Sequence, residues 1–300
     1  MAGKPKDNRF VTTLVFGRFN LTFLGMRRCV AGLTGILLSY AALAQPTVPP
    51  SAAPIALHVS YETYAGGIPV AQTKAGLSFN PRTYQIDLAY HATGLVGFLF
   101  SGHQFDHVEG SWQRGLAEPS RFVGQGEWRG VDRSTVIDYQ QGKPVIRQLV
   151  PPNEDEREPV PEALQNHTID TLSALATLIH VVAQTGRCET TVHTYDGRRA
   201  VDLEAHTVGE ETLEATSRSA FAGKALRCDF SGRMLAGFKF GDDREHDSRP
   251  MHGSAWLAPV VAGGPPLPVR MVFETRWFGD ATMYLTALGP GSDIKVAAGK

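Results

Sequence analysis

Three short segments of this chain bring together residue types that could do chemistry. In His103-Gln104-Phe105-Asp106-His107, two imidazoles lie four residues apart around a carboxylate, the nearest approach to a metal-ligand set. On a strand, positions four apart share a face, but the spacing dictates no third ligand. Zinc signatures use tighter combinations, so the pair reads as surface imidazoles and no metal is expected. Asp242-Asp243-Arg244-Glu245-His246-Asp247 gathers acids suited to a hard cation, but it lacks the glycine and the spaced acids of a calcium loop. It reads as a solvated loop. The doublet Arg198-Arg199 has the forked donors that clamp phosphate or carboxylate. Strand alternation would instead send one guanidinium to each face, to pair with acids such as Asp202.

Nucleophilic catalysis finds little support. Ser101-Gly102-His103 sets a hydroxyl near an imidazole, yet neighbours on a strand point to opposite faces. Neither Gly-x-Ser-x-Gly nor His-Glu-x-x-His occurs, and no glycine-rich turn leads into a helix with a following lysine to cradle phosphate. Glycoside hydrolysis needs only two carboxylates, which any acidic chain supplies. We therefore assign no catalytic residue, no metal site and no cofactor, and an envelope hydrolase stands as an alternative reading.

The elements that must position these residues follow from composition. Of 300 residues, 42% are hydrophobic and 20% charged, enough for a sizeable core. Thirty-one glycines and nineteen prolines argue for many turns and short strands, and a net charge of −1 lacks the basic excess that would draw the chain to nucleic acid. Val30 to Ala41 form an apolar stretch after Met26-Arg27-Arg28 and before Ala42-Leu43-Ala44, the pattern of an export signal cleaved after Ala44. Met26 sits where a compact signal would start. The stretch is too short to span a bilayer, so no membrane span is expected after cleavage. Cleavage would remove six basic residues and only one acid, Asp7, leaving a net charge near −6 and two cysteines, Cys188 and Cys228. In an oxidising compartment these are expected to form a disulfide. The expected location is the bacterial periplasm, as a soluble protein.

Gln45 to Pro54 reads as a flexible leader and 289–300 as a flexible tail. Between them, apolar or alternating runs broken by Gly and Pro predict strands at Leu57–Tyr64, Ala71–Phe79, Thr83–Ala92, Leu95–Phe105, Ser111–Trp112, Arg121–Trp128, Arg133–Tyr139 and Pro144–Leu149. Pro151 to Pro161, with four prolines and several acids, predicts an exposed crossing loop that splits the body in two. Leu172, Leu175, Leu178, Ile179 and Val182 then mark an amphipathic helix, about 170–184, capped by Asp170 and stopped by Gly186. A second meander is predicted at Thr190–Tyr195, Arg198–Ala205, Thr212–Ala220, Lys224–Phe230, Met251–Leu257, Leu267–Phe278 and Thr282–Leu288, with Asp196-Gly197 as a two-residue type I′ turn. The expected fold is mainly β: one domain over 55–288, an antiparallel curved sheet or incomplete barrel wrapped around one central helix.

The run Leu95-Val96-Gly97-Phe98-Leu99-Phe100 is apolar on both strand faces and needs apolar neighbours on each. It is either central to the packing or lines a cavity, where Phe98 and Phe100, with Trp112 and with Phe105, Phe122 and Trp128 nearby, would suit a hydrophobic ligand.

Several of these pieces together resemble an exported bacterial family, domain-of-unknown-function family 3108. They are Tyr61 with Gly66-Gly67, Tyr84, Gly94, Asp170-Thr171-Leu172-Ser173-Ala174-Leu175, Cys188, Tyr195-Asp196-Gly197-Arg198-Arg199, Cys228 and Gly237-Phe238. The likeness runs from about Leu57 to Leu285, and departs from the family where Thr171 stands in place of a proline at the helix start. It implies an envelope protein of predominantly β structure, and no reaction. The expected function is non-enzymatic: binding an apolar or amphipathic envelope molecule such as a lipid. The alternative is an envelope assembly or maintenance factor that acts through an envelope protein partner.

Overall fold

The computed structural model describes residues 55–94, Gly97, 102–275 and 279–289. The export segment, the leader to Pro54, the tail beyond Gly289 and both Phe98 and Phe100 lie outside the described residues. Among the described residues, thirteen strands form one antiparallel sheet: β1 Ile55–Ala65, β2 Ile68–Phe79, β3 Thr83–Ala92, β4 Gly102–Gln113, β5 Leu116–Trp128, β6 Val131–Gln140, β7 Lys143–Val150, β8 Thr190–Tyr195, β9 Ala200–Leu213, β10 Gly223–Ala236, β11 Met251–Pro259, β12 Pro266–Thr275 and β13 Gly279–Gly289. Their order in the sheet is β7-β6-β5-β4-β3-β2-β1-β13-β12-β11-β10-β9-β8, so β1 pairs with β13 at the centre and β7 and β8 are the edges. The sheet curls into a nearly closed barrel around one helix, α1 (Thr171–Thr185), which packs on β3, β4, β5, β8 and β12.

Register explains the curl. Leu57, Leu77, Ile86, Val108, Phe122 and Ile137 are successive cross-strand partners from β1 to β6, and Ile146 of β7 extends the row. Because side chains alternate with period two, one aligned row commits a whole face to the interior, and a slip by one residue would expose it. Ile86, Val108 and Ile137 are fully buried in that row.

The helix fills the interior because small residues let it be covered on most sides. Ser173, Ala174, Ala176 and Thr177 are buried together with Leu172, Ile179 and Val182. The leucine spacing alone predicted one buried face, so the helix is more enclosed than its pattern suggested. Its ends are as expected: the Asp170 carboxylate accepts from the Ser173 N–H at 2.9 Å, and Gly186 closes the helix at φ 68°. Cys188, two residues on, is bonded to Cys228 of β10, and both are fully buried. The bridge ties the end of α1 to the wall across β9.

Some expectations are corrected. Of the strand expected over Leu95–Phe105, the part from Gly102 belongs to β4 and most of 95–101 lies outside the described residues; Gly97, which is described, departs from the expectation, its N–H donating to Thr93 O at 3.0 Å, a helical four-residue bond. Ser111–Trp112 is part of that same strand, β4. The chain leaves strand geometry after Leu213 and turns through 217–218, so no strand reaches Ala220. The β8–β9 hairpin forms, but not with a type I′ turn. Asp196 Oδ1 accepts from the N–H groups of Arg198 and Arg199 at 2.9 and 2.7 Å, and of these residues Gly197 alone has positive φ. A side-chain-capped loop thus replaces the second left-handed residue. The proline-rich crossing segment is partly packed, with Glu158 N–H donating to Phe238 O and Phe240 N–H to Glu156 O, and Val160 is buried.

Candidate functional site: a cleft in the barrel seam

The edges β7 and β8 do not pair, and their seam is held by other groups. At one end Arg198 donates to the carbonyls of Val150 and Pro151, both at 2.8 Å, and Gly197 packs on Leu149, Thr135 and Ile146. At the other end the segment leading into α1 forms a strut. His167 N–H donates to Gly142 O at 2.9 Å, Ile169 N–H to His193 O and Tyr195 N–H to Ile169 O, both at 3.0 Å. Ile169 thereby covers the open edge of β8 as a short parallel bridge.

A cleft of about 460 Å³ opens beside this strut. Its cause is local. β5 pairs with β6 only from Arg121 onward, because Pro119 offers no N–H to a ladder and the β4–β5 register shifts beside it, between Glu109 and Gly110. The first residues of β5 therefore stand apart from β6, and the freed Ala117 N–H is taken by Thr177 Oγ1 of the helix at 3.1 Å. Ala117, Pro119, Tyr139, Ile169 and Val192 line the cleft, with Thr168 between them and the half-exposed Leu116 at the rim. Arg114, His167 and His193 flank the mouth, and His193 is held by Asp202 at 2.6 Å.

Tyr139 is among the lining residues, but its hydroxyl is sealed from solvent and has no hydrogen-bond partner among the described residues. Burial, reinforced by the nearby Asp170, Tyr84 and Asp196, pushes its pKa well above the ordinary phenol value, so it remains an O–H donor. Behind it runs a closed polar chain. Ser173 donates both its N–H and, at 2.5 Å, its hydroxyl to Asp170, which leaves the Ser173 oxygen free to accept from Tyr84 at 2.7 Å. Asp170 is 1% exposed, and burial raises its pKa.

Trp112 is a packing residue in this structure. Its ring stacks on His180 at 4.0 Å, leans on Tyr84 at 4.8 Å and Phe79 at 6.1 Å, and its Nε1–H donates to Asn80 O at 3.0 Å. Burial lowers the His180 pKa, which keeps the stacked ring neutral. The other aromatics do not share one surface. Phe122 packs with the core, Phe105 alternates to the opposite face of β4, and Trp128 covers Gly102 at 37% exposure. The two imidazoles of the histidine segment also part company with Asp106. His107 pairs with Asp87 at 2.7 Å, while Asp106 turns to the other face, takes a hydrogen bond from Gln104 and is pushed up to about 6 by burial. No group of three or more His, Cys, Asp or Glu poised to hold a metal occurs among the described residues.

The arginine doublet lies in the hairpin loop, not on alternate faces of a strand. Arg199 pairs with Asp196 and Arg198 with the Val150–Pro151 carbonyls and Glu156, while Asp202 is taken by His193. The Asp242–Asp247 segment forms one helical turn, Arg244–Asp247, capped by Asp243, with Arg244 bonded to Glu158. Sequence reasoning missed Tyr139, Ile169 and Val192. The signal that could have found the cleft is Pro119, a residue that cannot join an interior ladder.

Among the described residues no helix is long and apolar enough to cross a membrane. A comparison with solved structures finds the "Beta-barrel-like Protein of Domain of Unknown Function DUF1849 from Brucella abortus", 11% identical, over 78% of this chain and 97% of that one, with a TM-score of 0.46. No curated protein matches. The family model described as "Protein of unknown function (DUF3108)" matches residues 60–286, including the capped helix, both cysteines and the Asp196–Arg199 loop. The chain belongs to the DUF3108 family.

Proposed function

We propose that this protein is an exported, non-catalytic binder of an apolar or amphipathic molecule of the bacterial envelope, held in the seam cleft. The observation that carries this reading is the cleft itself. At about 460 Å³ it falls in the size range of small-molecule sites, and the apolar side chains of Leu116, Ala117, Pro119, Ile169 and Val192 share its lining with Tyr139. Burying an alkyl chain there would gain about 0.8 kcal/mol per methylene. The export segment read from the sequence supports a periplasmic setting, where lipids and their breakdown products must be shielded from water.

Native mass spectrometry of protein purified without denaturation from the periplasm tests the reading. The expected result is an added mass that organic solvent releases and that Leu116→Asp abolishes. An unmodified mass under the same conditions, with no binding of added amphiphiles, would overturn it.

A further inference from the structure

We propose that the outer wall of the barrel carries a second site, built on Arg270 and Tyr284, that takes the carboxylate or phosphate of a small soluble ligand with an aromatic or apolar body. The strands that carry it stand in the middle of the sheet order, away from the edges that form the seam, so the site is independent of the cleft.

Register assembles the site. Glu62, Tyr284, Arg270, Trp256 and Arg227 are successive cross-strand partners from β1 through β13, β12 and β11 to β10. Tyr61 and Thr63, on either side of Glu62, are buried in the barrel, so this row faces outward. Trp256 is nevertheless only 6% exposed. The guanidiniums of Arg227 and Arg270 lie over its ring, 5.4 and 4.8 Å from the centroid, and Glu211 accepts its Nε1–H at 2.7 Å.

The two arginines differ in what balances them. Arg227 is paired with Glu211 at 3.0 Å and with Asp229 at 2.9 Å. Arg270 has neither a carboxylate partner nor a hydrogen bond among the described residues; its contacts are the rings of Trp256 and, at 5.8 Å, Tyr284. Its Nε is sealed and unbonded, whereas Nη1 and Nη2 are unbonded but not sealed. The open side of the guanidinium is thus its end-on pair of nitrogens, a fork that meets two oxygens of one carboxylate or phosphate. A cationic ligand would find only donors there.

The neighbours suit the same ligand. The Tyr284 hydroxyl makes no hydrogen bond with a described residue and is not sealed, which adds a donor beside the fork. Arg218, from the loop between β9 and β10, stacks on Tyr64 at 4.3 Å and is hydrogen-bonded only to the Gly67 carbonyl at 3.3 Å, a second cation without a carboxylate partner among the described residues. Glu62, the acid beside them, accepts the Tyr64 hydroxyl at 2.5 Å. The half-buried rings of Tyr64 and Tyr284 meet edge to face at 6.0 Å and offer an aromatic or apolar body a surface next to the anion. Arg270 is mid-strand and its guanidinium is held against Trp256, not extended from the wall. A small molecule can reach in to it; a planar bilayer cannot.

The test is titration at low salt, read from the Trp256 indole N–H in proton–nitrogen correlation spectra and assigned with Trp256→Phe. The probes are benzoate, phenyl phosphate, benzamide and inorganic phosphate. Benzoate and phenyl phosphate are expected to bind at least about five-fold more tightly than benzamide or inorganic phosphate. Arg270→Gln, checked for an unchanged melt, is expected to weaken both by at least about ten-fold, and Arg270→Lys, which keeps the charge but not the fork, by at least about three-fold. Leu116→Asp, in the seam cleft, is expected to change neither. Benzamide binding as tightly as benzoate, or anion binding that survives Arg270→Gln, overturns the site, and full affinity in Arg270→Lys overturns the fork. Inorganic phosphate binding as tightly as phenyl phosphate overturns the apolar body. Binding to phosphatidic acid vesicles without binding of the soluble probes overturns the assignment to a small ligand.

Discussion

Replacing Asp170 by alanine isolates what holds the central helix inside the barrel. The carboxylate caps α1 through the Ser173 N–H and is also the terminal acceptor of the Tyr84–Ser173 chain, so its loss has two costs. The Ser173 N–H, whose bond is the N-cap itself, and the Ser173 hydroxyl, at 2.9 and 2.5 Å from Asp170, would each lose an acceptor in a fully buried place, at about 1–3 kcal/mol each. Because these groups are neighbours their costs do not simply add, and we expect a net loss of about 3–5 kcal/mol. Asp243 is the control: it caps the one-turn helix through the Glu245 and His246 N–H groups at 3.0 and 3.2 Å, but it does so in solvent. Asp243→Ala should cost about 1 kcal/mol or less. Equilibrium urea unfolding with the disulfide intact reads both as shifts of the midpoint at constant slope. A double-mutant cycle with Ser173→Ala should return a coupling of about 1–3 kcal/mol. If Asp170→Ala costs no more than Asp243→Ala, the buried chain is not what anchors the helix and the reasoning fails.

Other consequences follow from the same structure. Replacing Cys188 and Cys228 by serine opens a loop with a separation of 40 residues, worth about 4 kcal/mol of chain entropy, and calorimetry should show the melting temperature falling by about 8–16 °C; a fall under about 2 °C contradicts this. Asp106 holds its proton to about pH 6 when folded against 3.8 ordinarily, so the folded state binds the proton more tightly and stability declines as pH rises from about 4 to 6. Asp106→Asn removes that decline, and its advantage over wild type should grow by about 2 kcal/mol between pH 4 and pH 7; a pH-independent difference in urea unfolding would refute it. Gly237 has φ +84°, and a Cβ there would lie 2.0 Å from the Arg198 carbonyl oxygen, so Gly237→Ala should cost more than about 3 kcal/mol. Gly186→Ala, with nothing near its Cβ, should cost only about 1 kcal/mol in the same assay.

The fold was legible where one rule governed a whole segment. Alternation in Thr83–Ala92 predicts β3 to the residue, with Tyr84 and Ile86 inward, and the Asp170 and Gly186 caps bound the helix as observed. The same rules failed where tertiary partners supply what the local pattern lacks. Trp112 looked available for a ligand because sequence cannot show that His180, one helix away, stacks on it. Asp196-Gly197 looked like a type I′ turn because the carboxylate's capping of Arg198 and Arg199 depends on loop geometry. The cleft was hidden for a further reason: its residues come from β5, β6, the strut and β8, which are distant in sequence and meet only because the sheet curls until its edges approach. Only Pro119 carried a local trace of it.

The seam cleft as a binding site is tested most directly by photolabelling with a monoacylglycerol that carries a diazirine near the end of its acyl chain, followed by peptide mapping. The account predicts label on the peptides holding Leu116 to Pro119 and Ile169 or Val192, lost in Leu116→Asp and competed by unlabelled 1-monolauroylglycerol. Label confined to the outer faces of β9 to β13, or label at the cleft that unlabelled ligand does not displace, would contradict it.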